Sequence, residues 1–290
     1  MWVRMAELSS RWITVRVLGR VAFLSCGGYV AVLAVLMALE DRLIYTPKSE
    51  AQRWVEPPPD CRFLDLELKT DSGIRIHARW FPCPDAKGVV LMCHGRGANL
   101  SLALMPQDVA AWQREMGLSL LIFDYPGYGR SEGRPSEAGC YAAAEAAYTW
   151  LTRERGVPPR QLLLLGRSLG TSVAVDLATR HPHRALVLIS PFSSMPDEVE
   201  TVYPLIPAHL LMRNRFDSLS KIARCPQPLL VVHGTRDRTV PFVLGQRLFD
   251  AAPEPKRFIT VERAGHDESV MDGFFSHLRT FLADYSPLEK

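Results

Sequence analysis

Six short and almost unbroken apolar runs limit what this 290-residue chain can fold into. They are Val89–Cys93, Leu118–Phe123, Leu162–Leu165, Leu186–Ile189, Leu229–Val232 and Phe258–Val261. A strand with one wet face alternates polar and apolar residues. A run without alternation belongs to a sheet covered on both faces, the usual condition of parallel strands. Between the runs lie segments with helical patterning: Leu104–Glu115, Ser136–Arg155, Leu169–Arg180, Val243–Ala251 and Ser269–Tyr285. Strand and helix taking turns at this spacing predict an α/β domain with helices on both sides of one sheet. Ahead of them, Phe63–Lys69 and Ile74–Phe81 do alternate, around the turn residues Asp71-Ser72-Gly73, so an antiparallel hairpin is expected to lead in. Together these predict a mostly parallel, eight-stranded sheet within residues 61–290.

The Leu162–Leu165 run leads into Gly166-Arg167-Ser168-Leu169-Gly170 and then a helical pattern. A serine between strand and helix, flanked at two residues on each side by glycine, fits a tight turn that presents its hydroxyl. Gly166 and Gly170 are needed there because side chains would collide as the chain doubles back. The helix N-terminus would direct partial positive charge at a developing oxyanion, with the Leu169 N–H as one donor. A hydroxyl becomes a nucleophile only when a base removes its proton, and that base needs an orienting acid. Both are expected after later strands, the acid first. Leu229–Val232 runs into HGTRDRTVP, which offers Asp237, and Phe258–Val261 runs into ERAGHDE, which offers His266. The expected roles are Ser168 as nucleophile, His266 as general base and then acid, and Asp237 as the carboxylate that holds the imidazole. A second oxyanion donor should come from HGRGAN, after Val89–Cys93, where the Arg96 N–H is the candidate. The Arg96 side chain either points into solvent or attracts a carboxylate or phosphate on the substrate.

Other residues compete for these roles. His94 and His233 each precede a glycine at a strand end and read as residues that order their loops. His181, His183, His209 and His277 read as surface or helix-end residues. Asp267 and Glu268 adjoin His266, too near along the chain to reach back to its Nδ1. DYPGYGRS, Asp124 to Ser131, reads as a structural turn of glycines and aromatics beside the site. The place for a lid lies between Phe192 and Cys225 and is short; its apolar stretch Tyr203–Met212 reads as a packing helix, an acyl-pocket lining or a patch facing a membrane. No pairing of Cys and His has metal-site spacing, so neither metal nor cofactor is expected. A net charge of +3 without a basic run gives no reason to expect nucleic acid as a partner.

The N-terminus has a different character. Val21–Leu39 carries no charge, and at ~1.5 Å per residue it spans about 28 Å, close to a bilayer's hydrocarbon core. Arg4, Arg11, Arg16 and Arg20 precede it, while Glu40 and Asp41 follow. The expected organisation is a basic segment at 1–20, a single-pass signal anchor at 21–39, a linker at 40–60 that includes the proline-rich Ala51–Pro59, and the domain at 61–290. The charge bias puts the N-terminus in the cytoplasm and the domain outside. A cleaved signal peptide and a buried helix are the alternatives. Cys61 and Cys83 sit almost symmetrically about the Asp71–Gly73 turn, so an exported hairpin could bring them into a disulfide; the alternative is two unpaired cysteines near strand ends. Cys93, Cys140 and Cys225 read as packing residues.

Taken in order, HGRGAN, DYPGYGRSEGRPSEAG, GRSLG, HGTRDRTVP and AGH resemble the α/β-hydrolase superfamily. The likeness is greatest to its membrane-anchored serine hydrolases, which include eukaryotic protein depalmitoylases and bacterial serine aminopeptidase-like proteins. RLIYTP, after the apolar segment, is also typical of that branch. The resemblance runs from Arg42 to Leu282 and implies an α/β-hydrolase fold in which the nucleophile falls on Ser168, the acid on Asp237, the base on His266 and the oxyanion donors on Arg96 and Leu169. The branch usually has Asn where this chain has Arg96, and the cysteine clusters of the eukaryotic depalmitoylases are absent from this N-terminus. The expected activity is hydrolysis of a small-molecule or lipid-like carboxylic ester, or a thioester, through an acyl-enzyme. The alternatives are an aminopeptidase or amidase on the same fold, and a catalytically silent, membrane-tethered binding protein. Nothing in the residues points to an oligomeric state.

Overall fold

The computed structural model describes residues 26–59, 61–103, 106–266 and 273–286. It divides into two units, Met1–Leu43 and Ile44–Lys290. In the first, residues 26–43 belong to a helix that ends at 44, and Tyr29, Val30, Val32, Val35 and Met37 on it are exposed. Among the described residues no helix is long and apolar enough to cross a membrane. The expected transmembrane segment Val21–Leu39 starts outside the described residues, and the basic segment 1–20 lies wholly outside them.

The second unit is built on one eight-stranded sheet with the order β1-β2-β4-β3-β5-β6-β7-β8. The strands are β1 Leu64–Lys69, β2 Arg75–Phe81, β3 Val89–Cys93, β4 Ser119–Phe123, β5 Leu162–Arg167, β6 Ala185–Ile189, β7 Leu229–Gly234 and β8 Lys256–Val261. The hairpin β1–β2 is antiparallel, β2 pairs antiparallel with β4, and every later pairing is parallel. The unbroken runs have the expected cause. Val89, Leu91 and Cys93 enter one apolar cluster while Val90 and Met92 enter the other, and the same two-fold alternation recurs along β4, β5, β6 and β7. The first cluster takes in the helices Glu137–Thr149, Leu169–Ala178 and Phe242–Ala251, the second Pro106–Ala111 and Phe274–Tyr285. Cutting one of these fully buried leucines back to alanine costs roughly 2–5 kcal/mol, so the parallel core carries much of the domain's stability.

In the hairpin one expectation changes and one open alternative is decided. First, β2 is buried nearly throughout, including Arg79. Its polar face is covered by residues expected to be linker. Trp54 and Glu56 lie over Arg79, whose guanidinium also meets the Asp65 carboxylate at 2.7 Å and the Phe63 ring at 4.3 Å. The compact unit accordingly begins at Ile44, not Cys61. Second, Cys61 and Cys83 form no disulfide. The register pairs Leu64 with Trp80, in line with the expected symmetry, but the ladder stops there, and the Cys83 thiol lies against the carbonyls of Pro84 and Gln113.

Strand order also places the site. From β3 the chain moves one way to β4 and then returns to the other side of β3 for β5. Loops leaving β3 and β5 in opposite senses open a crevice at the carboxyl ends of these strands, where ligands of open α/β sheets bind. HGRGAN follows β3 and GRSLG ends β5.

Candidate active site

Ser168 stands between β5 and the helix Leu169–Ala178 with φ 52° and ψ −124°. A non-glycine residue held there stores about 1–3 kcal/mol of strain. Surrounding contacts hold it in place. The Ser168 N–H donates to the Ile189 carbonyl at 3.0 Å, and its own carbonyl accepts from the Thr171 N–H and hydroxyl at 2.9 and 2.6 Å. The flanking glycines are required as expected. A Cβ on Gly166 would sit 2.4 Å from the Gly170 carbonyl oxygen, and one on Gly170 would sit 2.1 Å from the Cys93 carbonyl oxygen. Leu169 N–H, first in its helix, has no acceptor within that helix.

Asp237 follows β7 and is buried. Its Oδ1 accepts from the N–H groups of Thr239 and Val240 at 2.9 and 2.8 Å, and its Oδ2 lies 2.7 Å from His266 Nδ1. Burial by itself pushes this carboxyl up. Hydrogen bonds from His233, His266 and the Val240 N–H outweigh burial and hold it well below the usual carboxylate range. An imidazole held at Nδ1 by a carboxylate keeps Nε2 as a proton acceptor. His266 and Ser168 line one cleft of about 360 Å³, together with Arg96, Arg167, Met92 and Leu102. A serine, a buried carboxylate and a histidine, successively 69 and 29 residues apart in sequence, are thus gathered at one end of the sheet.

His233 and His94 have the loop-ordering places expected of them. His233 Nε2 lies 3.0 Å from the Val240 carbonyl and 3.4 Å from Asp237, with Gly245 seated against its Nδ1. His94 bonds the Gly95 carbonyl, between the rings of Tyr125 and Tyr128. His183, in contrast, is not at the surface: it is buried, which pulls its imidazole down to about 4. Asp267 and Glu268 lie outside the described residues. Of Tyr203–Met212 only Ala208 is buried, Leu205 and Leu210 are exposed, and none of the stretch lines the cleft.

Some residues of the site carried no clear signal. Thr46, in RLIYTP, donates its hydroxyl to the Arg96 carbonyl at 3.1 Å, and Tyr128 donates to the same carbonyl at 3.0 Å. Tyr125 holds the His94 carbonyl at 2.8 Å. The tyrosines of DYPGYGRS therefore form the bracing of the HGRGAN loop. Tyr128→Phe should lower kcat about 3- to 10-fold with little change in KM, as expected for one bracing bond of about 1 kcal/mol. Steady-state kinetics check this, and a KM effect alone would contradict it. Arg167, within GRSLG, donates to the His266 carbonyl at 3.0 Å and ties the His266 loop to the elbow.

Glu198 was invisible in the sequence. It lies on the helix Met195–Val202, buried, 4.0 Å from the Arg96 guanidinium. Burial pushes its carboxyl up to about 7; Arg96 offsets this in part and Asp237 adds to it. The unfolded chain releases this proton near 4.5. Between those values the native state binds more protons, so stability falls as pH rises through the window. The full cost, on the order of 3 kcal/mol, is present above pH ~7. Glu198→Gln should therefore raise the melting temperature at pH 8 and leave it nearly unchanged near pH 4.5. Calorimetry at both pH values tests this, and a destabilised variant at pH 8 would refute it.

A family model for the alpha/beta hydrolase fold matches residues 88–218. An uncharacterised protein of Mycobacterium tuberculosis is 36% identical over 267 residues, covering 89% of this chain and 92% of its own. The human alpha/beta hydrolase domain-containing protein 17B is 31% identical over 222 residues, covering 74% and 73%. Among solved structures, the Pyrococcus furiosus esterase Pf2001 superposes with a TM-score of 0.68 at 17% identity, over 83% of this chain and 97% of that one. A puromycin-hydrolyzing peptidase of M. tuberculosis superposes with a TM-score of 0.66 at 19% identity, over 81% and 41%.

Proposed function

The chain belongs to the α/β-hydrolase family, and from that premise we propose that it is a serine hydrolase cleaving carboxylic esters, or thioesters, through a Ser168-His266-Asp237 triad. The observation that carries this reading is the strained Ser168 at a helix head, in one cleft with an imidazole whose Nδ1 is held 2.7 Å from a buried carboxylate. Ser168 Oγ attacks the ester carbonyl while His266 Nε2 takes its proton. The Leu169 and Arg96 N–H groups hold the oxyanion, a contribution of about 2.7–4 kcal/mol for each such donor. As the carbon–oxygen bond to the alcohol breaks, His266 returns the proton to the leaving oxygen. Water then gives a proton to His266 and attacks the acyl-enzyme, and the acid departs as Ser168 regains its hydrogen.

An aminopeptidase of the same fold needs carboxylates to receive a substrate amine. The cleft wall carries the cations Arg96 and Arg167, which would repel a substrate ammonium, and this favours the esterase reading. Labelling by a fluorophosphonate probe, with Ser168→Ala as control, tests the nucleophile. p-Nitrophenyl esters of rising chain length set against aminoacyl anilides test the bond. Turnover confined to the anilides would replace this reading with the peptidase one, and an unlabelled, folded wild type would replace both with a silent binding protein. We further propose that the N-terminal segment tethers the enzyme to a membrane, with the domain on the extracytoplasmic side; the uncharged Val21–Leu39 run and its basic flank support this. Release from membranes by alkaline carbonate would sink the tether, and protection of the domain from protease added outside spheroplasts would sink its orientation.

A further inference from the structure

Several arginines of the domain hold a carboxylate closely. Arg79 meets Asp65 at 2.7 Å, Arg130 meets Glu50 at 2.7 Å and Arg180 meets Asp176 at 2.8 Å. Arg96 differs. Its side chain is 35% exposed, its guanidinium makes no hydrogen bond to a described residue, and the carboxylate beside it, Glu198, stands 4.0 Å away. That distance is beyond hydrogen bonding. Glu198 cannot close the gap by swinging outward without unpacking, because it is itself buried on the helix Met195–Val202. The Arg96 backbone is fixed at the cleft by Thr46 and Tyr128. A guanidinium has a planar fork of donors matched to a carboxylate or phosphate, and it is worth most where water is partly excluded. The rest of the described lining adds a second cation, Arg167, and apolar surface from Met92, Ala98, Leu102 and Ala103, with no anion to compete.

Resting on the serine hydrolase reading, we propose that the Arg96 side chain is a specificity determinant that selects esters bearing a carboxylate or phosphate a few bonds from the scissile carbonyl. The residue whose N–H receives the oxyanion would then also hold the substrate's charged end. The anion supplies the bidentate partner that Glu198 stands too far away to be. Glu198 serves as a buried counter-charge that keeps the guanidinium at the cleft wall in the empty enzyme.

Two matched pairs of esters test this on the full-length enzyme and distinguish where the anion sits. p-Nitrophenyl hemiglutarate against p-nitrophenyl valerate places a carboxylate on the acyl side. 4-Acetoxybenzoate against its methyl ester places one on the alcohol side. The wild type is expected to prefer the anionic member of at least one pair by roughly tenfold or more in kcat/KM. About 0.5 M KCl should weaken that preference. Arg96→Gln should abolish it and Arg96→Lys should restore part of it. A wild type that hydrolyses the neutral esters but favours the anion in neither pair overturns the proposal and leaves the serine hydrolase reading standing. So does a preference that survives in Arg96→Gln. If that variant fails to fold, a wild-type preference indifferent to salt overturns it as well. Hydrolysis of none of the four esters overturns the underlying reading, and this proposal with it.

Discussion

Ser168→Ala is expected to lower ester hydrolysis by about 10⁴- to 10⁶-fold while leaving the protein folded. The substitution removes one oxygen from a residue whose backbone is held by Ile189 and Thr171, not by its hydroxyl. His266→Ala should cost nearly as much, and the double variant little more than either alone, since nucleophile and base act as a unit. Asp237→Asn should lose about 10²- to 10⁴-fold for a reason visible in its contacts. Both carboxylate oxygens are acceptors, one for two backbone N–H groups and the other for His266 with His233 beside it. An amide must place its NH₂ against one of those donor pairs, so the imidazole loses its orientation or the loop loses its anchor. Burst kinetics and active-site titration check these losses. A Ser168→Ala variant with more than a hundredth of wild-type turnover would remove Ser168 from the nucleophile's role.

Gly170→Ala is expected to prevent accumulation of folded enzyme, or to destabilise it by more than about 3 kcal/mol. The added methyl would lie 2.1 Å from the Cys93 carbonyl oxygen and 2.6 Å from that of His94. Those atoms belong to the end of β3 and the start of the loop proposed to hold the oxyanion, so no side-chain rotation relieves the clash. Either the helix Leu169–Ala178 lifts off β3, opening the core, or β3 gives way. Chemical denaturation would show a large drop in midpoint. A near-normal midpoint would mean that the elbow does not pack against β3 as closely as described here.

The triad candidates were legible because each sits just beyond an apolar run, and a run's end marks where the chain leaves a buried sheet. GRSLG could be read further, down to the need for its glycines, because a strand-to-helix turn imposes local sterics. The parallel sheet was legible through its unbroken apolar runs, and the leading hairpin through alternation around the turn residues Asp71-Ser72-Gly73. Reading failed where burial came from elsewhere in the chain. The polar alternation of β2 suggested a wet face, yet Arg79 lies under Trp54 and Glu56 from a stretch whose prolines suggested a free linker. The symmetric spacing of Cys61 and Cys83 matched the register, but spacing says nothing about where a ladder stops.

The sequence by itself determined the layer architecture, the elbow and the order of the candidates Ser168, Asp237 and His266, because period, turn sterics and chain order are properties of neighbouring residues. Only the tertiary structure decided that Thr46 and Tyr128 brace Arg96, that Arg167 ties the elbow to the His266 loop, and that Glu198 lies buried beside a guanidinium. Those contacts join residues about thirty to a hundred positions apart along the chain. Their geometry depends on how loops from separate strands cross above the sheet, and no local pattern encodes that crossing.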